Sequence, residues 1–402
     1  MNEQVDISYV ANPRSRRRYD AKTLTKSYSP SVASSVRAFH RSIPRYKPTP
    51  LTMLPHLAYG LQVNNIWVKD ESYRFCLNAF KILGASYAMA HLLAEKLGLR
   101  PESLAFDQLL SEPCRKKLQD ITVATATDGN HGRAVAWMAK QIGCKSVVYM
   151  PQGTSRSRYD AVKSHGAKTI VIDGSYDEAV RLARSKAEEH GWLLIQDSAW
   201  EGYEEIPTLI MQGYLTILNE TLDQLEGETP THVFVQCGVG SLAASLQAYL
   251  YELFGRNRPL LAVVEPSQAA CFHESMRNYD GKPKKATGDL STAMAGLACG
   301  EPSLLAWNIL RDYADVFVSC PDYLAINGMR ILGKPVRGDE RIISGESGAV
   351  TLGMLAHVRT HLENAEITNI LELSRHSRIL LISTEGDTNP EAYRKIVWEE
   401  DF

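Results

Sequence analysis

The sequence has no surplus of either charge: 44 Lys and Arg against 46 Asp and Glu leave a formal net charge of −2 over 402 residues. That balance offers nothing extra for binding a polyanion. The one basic run, Arg14, Arg16, Arg17 and Arg18, falls in a polar N-terminal arm and reads as a solvated segment rather than a nucleic-acid site. No uninterrupted apolar stretch is long enough to span a bilayer, and Met1 to Asp6 lacks the charged-then-apolar pattern of a secretion signal. No membrane partner and a cytoplasmic location are therefore expected. Cysteine is sparse, seven residues with no CxxC pair, which argues against both a disulfide scaffold and a zinc site. No metal is expected, and most thiols should be reduced core residues. A clip between Cys271 and Cys299, which bracket the polar segment from Asn278 to Asp289, stays open. Internal repeats and low-complexity tracts are lacking.

What is present is an ordinary globular composition, 44% hydrophobic, long enough for two or three domains. Apolar or β-branched runs at Leu193 to Asp197, Thr231 to Cys237, Leu260 to Val264 and Arg378 to Ser383 each end in polar or glycine-rich turns and read as buried parallel strands. Helical patterns at Ala134 to Ile142, Asp177 to His190 and Ser241 to Phe254 lie between them, the alternation of an α/β protein. Residues 121–174 hold a compact strand-helix-strand-helix-strand series that suggests a smaller domain.

Three motifs carry chemistry. Lys81, in Asn78-Ala79-Phe80-Lys81-Ile82-Leu83-Gly84-Ala85, opens a helix of small residues. A partly desolvated lysine amine loses proton affinity, as a nucleophile that condenses with a carbonyl must. Thr127-Asp128-Gly129-Asn130-His131-Gly132 joins a short strand to a helix, so its peptide N–H groups can converge on an anion; by itself it also reads as a turn capped by Asp128 or Asn130. Cys237-Gly238-Val239-Gly240-Ser241-Leu242 joins another strand to a helix and suits a phosphate. Gly238-x-Gly240-x-x-Ala243 also matches a dinucleotide fingerprint, with Glu265 at the end of the next strand as the ribose-binding acid. An NAD-linked oxidoreductase is thus the rival reading, weakened because it leaves Lys81 without a role.

Together with Val264-Glu265-Pro266, these motifs resemble those of the fold-type II pyridoxal phosphate (PLP) enzymes, the group of the serine and threonine dehydratases, over most of the chain. Within that group, Thr127-Asp128, the segment Gln196 to Tyr203, Met294-Ala295-Gly296-Leu297-Ala298-Cys299-Gly300 and Ser383-Thr384-Glu385-Gly386-Asp387 resemble the diaminopropionate ammonia-lyases. The resemblance implies an α/β fold of the tryptophan synthase β type, with two open twisted parallel-type sheets flanked by helices. It implies a large PLP-binding domain from residues 1–85 and 201–402, a small domain at 86–200 carrying the substrate-carboxylate loop, and a homodimer.

It further implies that Lys81 carries the cofactor; that Gly238, Val239, Gly240, Ser241 and Leu242 cup its phosphate; that Asn130 meets its 3′-oxygen; and that Glu346 borders its ring or a water channel, unless it serves only as an acid at a helix N-terminus. Thr384, with Ser383 as runner-up, faces the pyridine nitrogen, where a neutral hydroxyl makes the ring a weaker electron sink than a carboxylate would. Thr127, Asp128, Gly129 and His131 receive the substrate, His131 as a structural partner of the loop rather than an acid or base. Related dehydratases and racemases have serine where this chain has Asp128. A carboxylate there, on the cofactor face opposite Lys81, implies α-proton removal from both D and L enantiomers.

Asp128 and Asp197 together offset the charge of a second substrate ammonium, and as neighbours they tend to share one proton; Asp197 alternatively satisfies only turn amides. The expected reaction is α,β-elimination of ammonia from 2,3-diaminopropionate. A serine or threonine dehydratase and a silent PLP-binding protein remain as alternatives.

Overall fold

The computed structural model describes residues 7–15 and 22–400; Met1 to Asp6 and Arg16, Arg17 and Arg18 lie outside the described residues. Eleven strands form two sheets among the described residues. They are β1 (Ser8–Ala11), β2 (Leu51–Met53), β3 (Asn65–Asp70), β4 (Thr122–Ala126), β5 (Lys145–Met150), β6 (Lys168–Val171), β7 (Leu193–Leu194), β8 (His232–Gln236), β9 (Leu260–Pro266), β10 (Val316–Cys320) and β11 (Arg378–Ser383). The larger sheet has the order β1-β10-β9-β8-β11-β3-β2 and the smaller β6-β5-β4-β7. All pairings in the smaller sheet are parallel. In the larger, only the edge strands β1 and β2 run antiparallel.

Three of the four runs read as buried strands, β8, β9 and β11, fill the interior of the large sheet, where both faces are covered. Alternate residues feed two separate cores, as the two-residue period of a strand requires. Val233, Val235, Leu261, Val263, Leu380 and Ile382 join one core, while Phe234, Ala262, Val264, Ile379 and Leu381 join the other. The run at Leu193 to Asp197 is ladder-paired only through Leu193–Leu194; beyond it the chain leaves the sheet edge to enter the cleft described below.

Seven helices position that cleft: α1 (Ile82–Leu97), α2 (Asn130–Ile142), α3 (Arg156–Lys163), α4 (Tyr176–His190), α5 (Glu205–Gln224), α6 (Ser241–Phe254) and α7 (Glu346–Thr360). Helices α1 and α5 meet backbone to backbone. A Cβ on Gly213 would lie 2.4 Å from the Leu83 carbonyl oxygen, and one on Gly84 2.6 Å from Tyr214 Cε1. This close approach fixes the helix that begins immediately after Lys81.

A buried ionic cluster anchors the chain leading to it. Lys69 Nζ lies 2.9 Å from Glu220 Oε2 on α5, and Arg74 bridges Glu220 Oε1 and Glu71 Oε1 at 2.8 Å each. The segment that follows places Phe75, Cys76 and Asn78 at φ of 50°, 59° and 58°, uncommon for side chains with a Cβ. Breaking a buried pair leaves uncompensated charge. Glu220→Gln is accordingly expected to cost about 3–5 kcal/mol of stability, measured by chemical denaturation; a loss below about 1 kcal/mol would mean the cluster is not what holds this segment.

All seven cysteines carry free thiols, so the Cys271–Cys299 clip left open by the sequence is not formed. Among the described residues, no helix is long and apolar enough to cross a membrane.

Candidate active site

Strand ends place the functional side chains. Gln236 ends β8, Thr384 follows β11 and Thr127 follows β4, and all three line one cleft with about 700 Å³ of open space between the two sheets. Lys81 caps the N-terminus of α1, and its turn is stitched to the end of β11. The Phe80 amide donates to the Thr384 carbonyl at 3.1 Å and the Gly386 amide to the Asn78 carbonyl at 3.1 Å. Gly84, Ala85 and Ser86 on α1 are buried.

Lys81 Nζ lies 2.5 Å from Asp197 Oδ2. Asp197 Oδ1 also accepts from Tyr176 Oη at 3.3 Å and Gln196 Nε2 at 3.2 Å, so this carboxylate belongs to the cleft rather than to turn amides. Here the structure corrects the expected acid–base state of the lysine. Burial disfavours its charge, but the Asp197 carboxylate outweighs burial and holds the amine well above the ordinary lysine value. Burial likewise pushes Asp197 up, and the Lys81 ammonium, with His131 nearby, overrides it and holds the carboxyl well below the usual range.

Asp128 goes the opposite way. Burial raises its carboxyl, Arg158 and Lys81 partly counter this, and Glu385 adds to it. Asp128 and Asp197 are therefore pushed apart rather than sharing a proton, the pattern that separates acid from base assignments. Asp128 Oδ2 has no hydrogen-bond partner; Arg158 Nη1 stands 3.9 Å away.

The 127–132 loop is built as its sequence suggests. Thr127 Oγ1 accepts from the Gly129 amide at 2.9 Å, and helix α2 begins at Asn130 with no side chain capping its first turn. His131 Nε2 pairs with the Ile195 carbonyl at 2.8 Å, and burial lowers its proton affinity, in keeping with a structural partner of the loop. Asn130 Nδ2 donates to Glu385 Oε2 at 2.6 Å.

Of the two hydroxyls at the end of β11, Thr384 lines the cleft and Ser383 pairs with Ser344 at 2.8 Å. Thr384 Oγ1 accepts from Gln236 Nε2 at 2.7 Å, which leaves its own proton free to donate. Glu346 opens helix α7. It lines the adjoining pocket with Arg158 and Asn389 rather than the central cleft, and burial with Glu385 as neighbour raises it to about 7.

Gly238, Val239, Gly240, Ser241 and Leu242 all border the cleft. Gly240 has φ of +98°, and a Cβ there would stand 2.3 Å from Phe272 Cζ, so only glycine fits. No side chain caps α6, leaving its first N–H groups directed at the cleft, where an anion would satisfy them. Glu265, the supposed ribose-binding acid, instead accepts from the amides of Phe272 at 2.8 Å and His273 at 2.7 Å. Glu265 is fully buried and does not line the cleft, so it is not placed to hold a ribose there, and the NAD-linked reading falls with it.

The pyridoxal-phosphate dependent enzyme family profile matches residues 43–372. The diaminopropionate ammonia-lyase of Salmonella typhimurium is 47% identical over 396 residues, 98% of each chain. The chain belongs to the diaminopropionate ammonia-lyase family of PLP-dependent enzymes. The Escherichia coli diaminopropionate ammonia-lyase, solved with an aminoacrylate-PLP azomethine reaction intermediate, superposes with a TM-score of 0.90 at 45% identity over 98% of each chain. The same enzyme in complex with D-serine gives a TM-score of 0.89 at 44% identity over 98% of this chain and 97% of that one.

The cofactor is pyridoxal 5′-phosphate, and the residues present fit it. The uncapped helix start at Gly240 suits a phosphate, the free Thr384 proton suits a neutral ring nitrogen, and a lysine stands between them in the same lining. Tyr176, Gln236, Ser347 and Glu385 line the cleft without having been given a role from the sequence, and Arg158, beside Asp128, was likewise given none. Gln236 and Glu385 lay inside segments already singled out, and their invisibility was one of direction rather than position.

Proposed function

We propose that the chain catalyses α,β-elimination of ammonia from 2,3-diaminopropionate, of both D and L configuration, with water completing the conversion to pyruvate and a second ammonia. One observation carries this: the cleft holds two carboxylates in different protonation environments, Asp197 paired with Lys81 and Asp128 with an unpartnered oxygen, where a hydroxy-amino-acid dehydratase needs no second acid.

In this reading Lys81 Nζ holds the cofactor covalently. Gly238 to Leu242 and the start of α6 hold its phosphate, Asn130 its 3′-oxygen and Thr384 its ring nitrogen. When bound, the cofactor supplies the electron sink that makes the substrate's Cα–H bond acidic. The chain's own groups do the rest. The amides of the 127–132 loop receive the substrate carboxylate. Lys81 Nζ, once the substrate's α-amine has displaced it and left it as a free neutral amine, would take the α-proton on one side, with Asp197 stabilising the ammonium so formed, and Asp128 would take it on the other. The β-nitrogen leaves as ammonia because it enters already protonated. Such positioned proton transfers contribute typically about 10²–10⁴-fold.

Residues 86–200 serve as the small domain that carries the carboxylate loop, the enzyme works in the cytoplasm, and two copies assemble as a homodimer. Product stoichiometry tests the function: one pyruvate and two ammonia per diaminopropionate consumed are expected. Faster keto-acid release from serine or threonine would make the chain a dehydratase, and full cofactor loading without turnover would make it a binding protein.

A further inference from the structure

Asp197 already accepts from Lys81, Tyr176 and Gln196, so the substrate's second ammonium has better acceptors in oxygens that receive no donor at all. Three buried oxygens in the cleft have no partner: Asp128 Oδ2, Glu385 Oε1 and Ser347 Oγ. They come from three separate segments, the β4–α2 turn, the turn after β11 and the first turn of α7, yet they converge on Gly296. A Cβ placed on that glycine would lie 3.0 Å from Ser347 Oγ, 3.5 Å from Asp128 Oδ2 and 3.8 Å from Glu385 Oε1. Ser347 and Glu385 are 3% and 1% exposed, so bulk solvent does not reach these oxygens. Buried polar groups are otherwise nearly always paired.

We infer that Glu385 Oε1, Ser347 Oγ and Asp128 Oδ2 form the subsite that receives the β-ammonium of the substrate, with Glu385 as its main specificity-determining residue. The inference rests on diaminopropionate being the substrate. An ammonium has three N–H donors and no acceptor, which matches three acceptor oxygens around one point. The charge count agrees. Asp128, Glu346 and Glu385 lie around Arg158, and the second cation that acts on Asp128, Lys81, is already paired with Asp197, so this corner has room for one more positive charge. The raised carboxyls of Asp128 and Glu346 have the same cause, burial among acids.

Glu385 is held for the task. Its Oε2 accepts from Asn130 Nδ2 at 2.6 Å and Thr388 Oγ1 at 3.0 Å, which leaves Oε1 free to face the cleft. A serine substrate would present a neutral hydroxyl here and gain far less, because hydrogen bonds to charged groups are roughly twice as strong.

The test compares wild-type, Glu385→Gln and Ser347→Ala holoenzymes. The readouts are KM for diaminopropionate, the inhibition constant of serine against that reaction, and cofactor content after alkaline release. Glutamine keeps an oxygen for Asn130 but turns an N–H donor towards the ammonium. Glu385→Gln is expected to raise KM about tenfold or more and Ser347→Ala about threefold. Serine inhibition should stay within about twofold and cofactor content should be unchanged. Parallel weakening of both ligands, or no change in either, overturns the subsite alone. A wild-type enzyme that forms no pyruvate from diaminopropionate overturns the substrate assignment and the subsite with it.

Discussion

Replacing Lys81 by alanine is expected to lower pyruvate formation by about 10⁴-fold or more and to abolish covalent retention of the cofactor. Both losses follow from one atom. Lys81 Nζ is the amine in the cleft that lies against Asp197, and an ammonium so paired gives up its proton only when something takes over its place beside the carboxylate. Borohydride reduction followed by peptide mass analysis checks the covalent part: the wild type should carry the reduced cofactor on the peptide containing Lys81, and the variant should carry none. Phosphate binding by the Gly238 to Leu242 loop does not involve Lys81, so the variant should still bind free PLP reversibly. Turnover above about 1% of wild type would remove Lys81 from its assigned role.

The second large effect is a split between enantiomers. Asp128→Asn keeps shape and removes the base, so kcat for one enantiomer should fall about 10²–10⁴-fold while kcat for the other, served by the Lys81–Asp197 pair, changes little and only its KM rises through the weakened β-ammonium contact. The acid limbs of the wild-type pH profiles should differ as well. Asp128 is raised, so its ionised form is lost at a higher pH than that of a free carboxyl, whereas Asp197 is held low and stays ionised further into acid. As pH falls, the enantiomer that depends on Asp128 should lose rate where that raised carboxyl takes up its proton, whereas the other depends on the Lys81 amine, which Asp197 holds protonated to much higher pH, so the two limbs should not coincide. Equal losses on both enantiomers in Asp128→Asn, or superimposable acid limbs, would contradict the two-sided site.

The contrast between the two aspartates shows where sequence reading succeeds and stops. The interior strands were legible because strands buried along their whole length, as β8 and β9 are, must be mainly apolar. The antiparallel edge strands β1 and β2, four and three residues long, carry too little pattern to register. Lys81, the 127–132 loop and the glycine loop were legible because backbone geometry dictates their residue types at short range. The charge state of Lys81 was not. Its local neighbours are apolar and argue for a depressed amine, and the carboxylate that reverses this sits 116 residues away in sequence. Glu385, Ser347 and Arg158 were missed for the same reason. Their meaning lies in what they face across the cleft, and no periodicity encodes that. Glu265 was misread by a motif whose glycines fit two ligands, until the amides of Phe272 and His273 were seen to occupy it.

The most direct test of the central claim is pyruvate formation from D- and L-2,3-diaminopropionate assayed separately, with both serine enantiomers and L-threonine as comparators. Fast release from both diaminopropionate enantiomers, exceeding that from any hydroxy amino acid, is the result this site predicts. Preference for serine or threonine would contradict it and leave the second acid, Asp128, without a function.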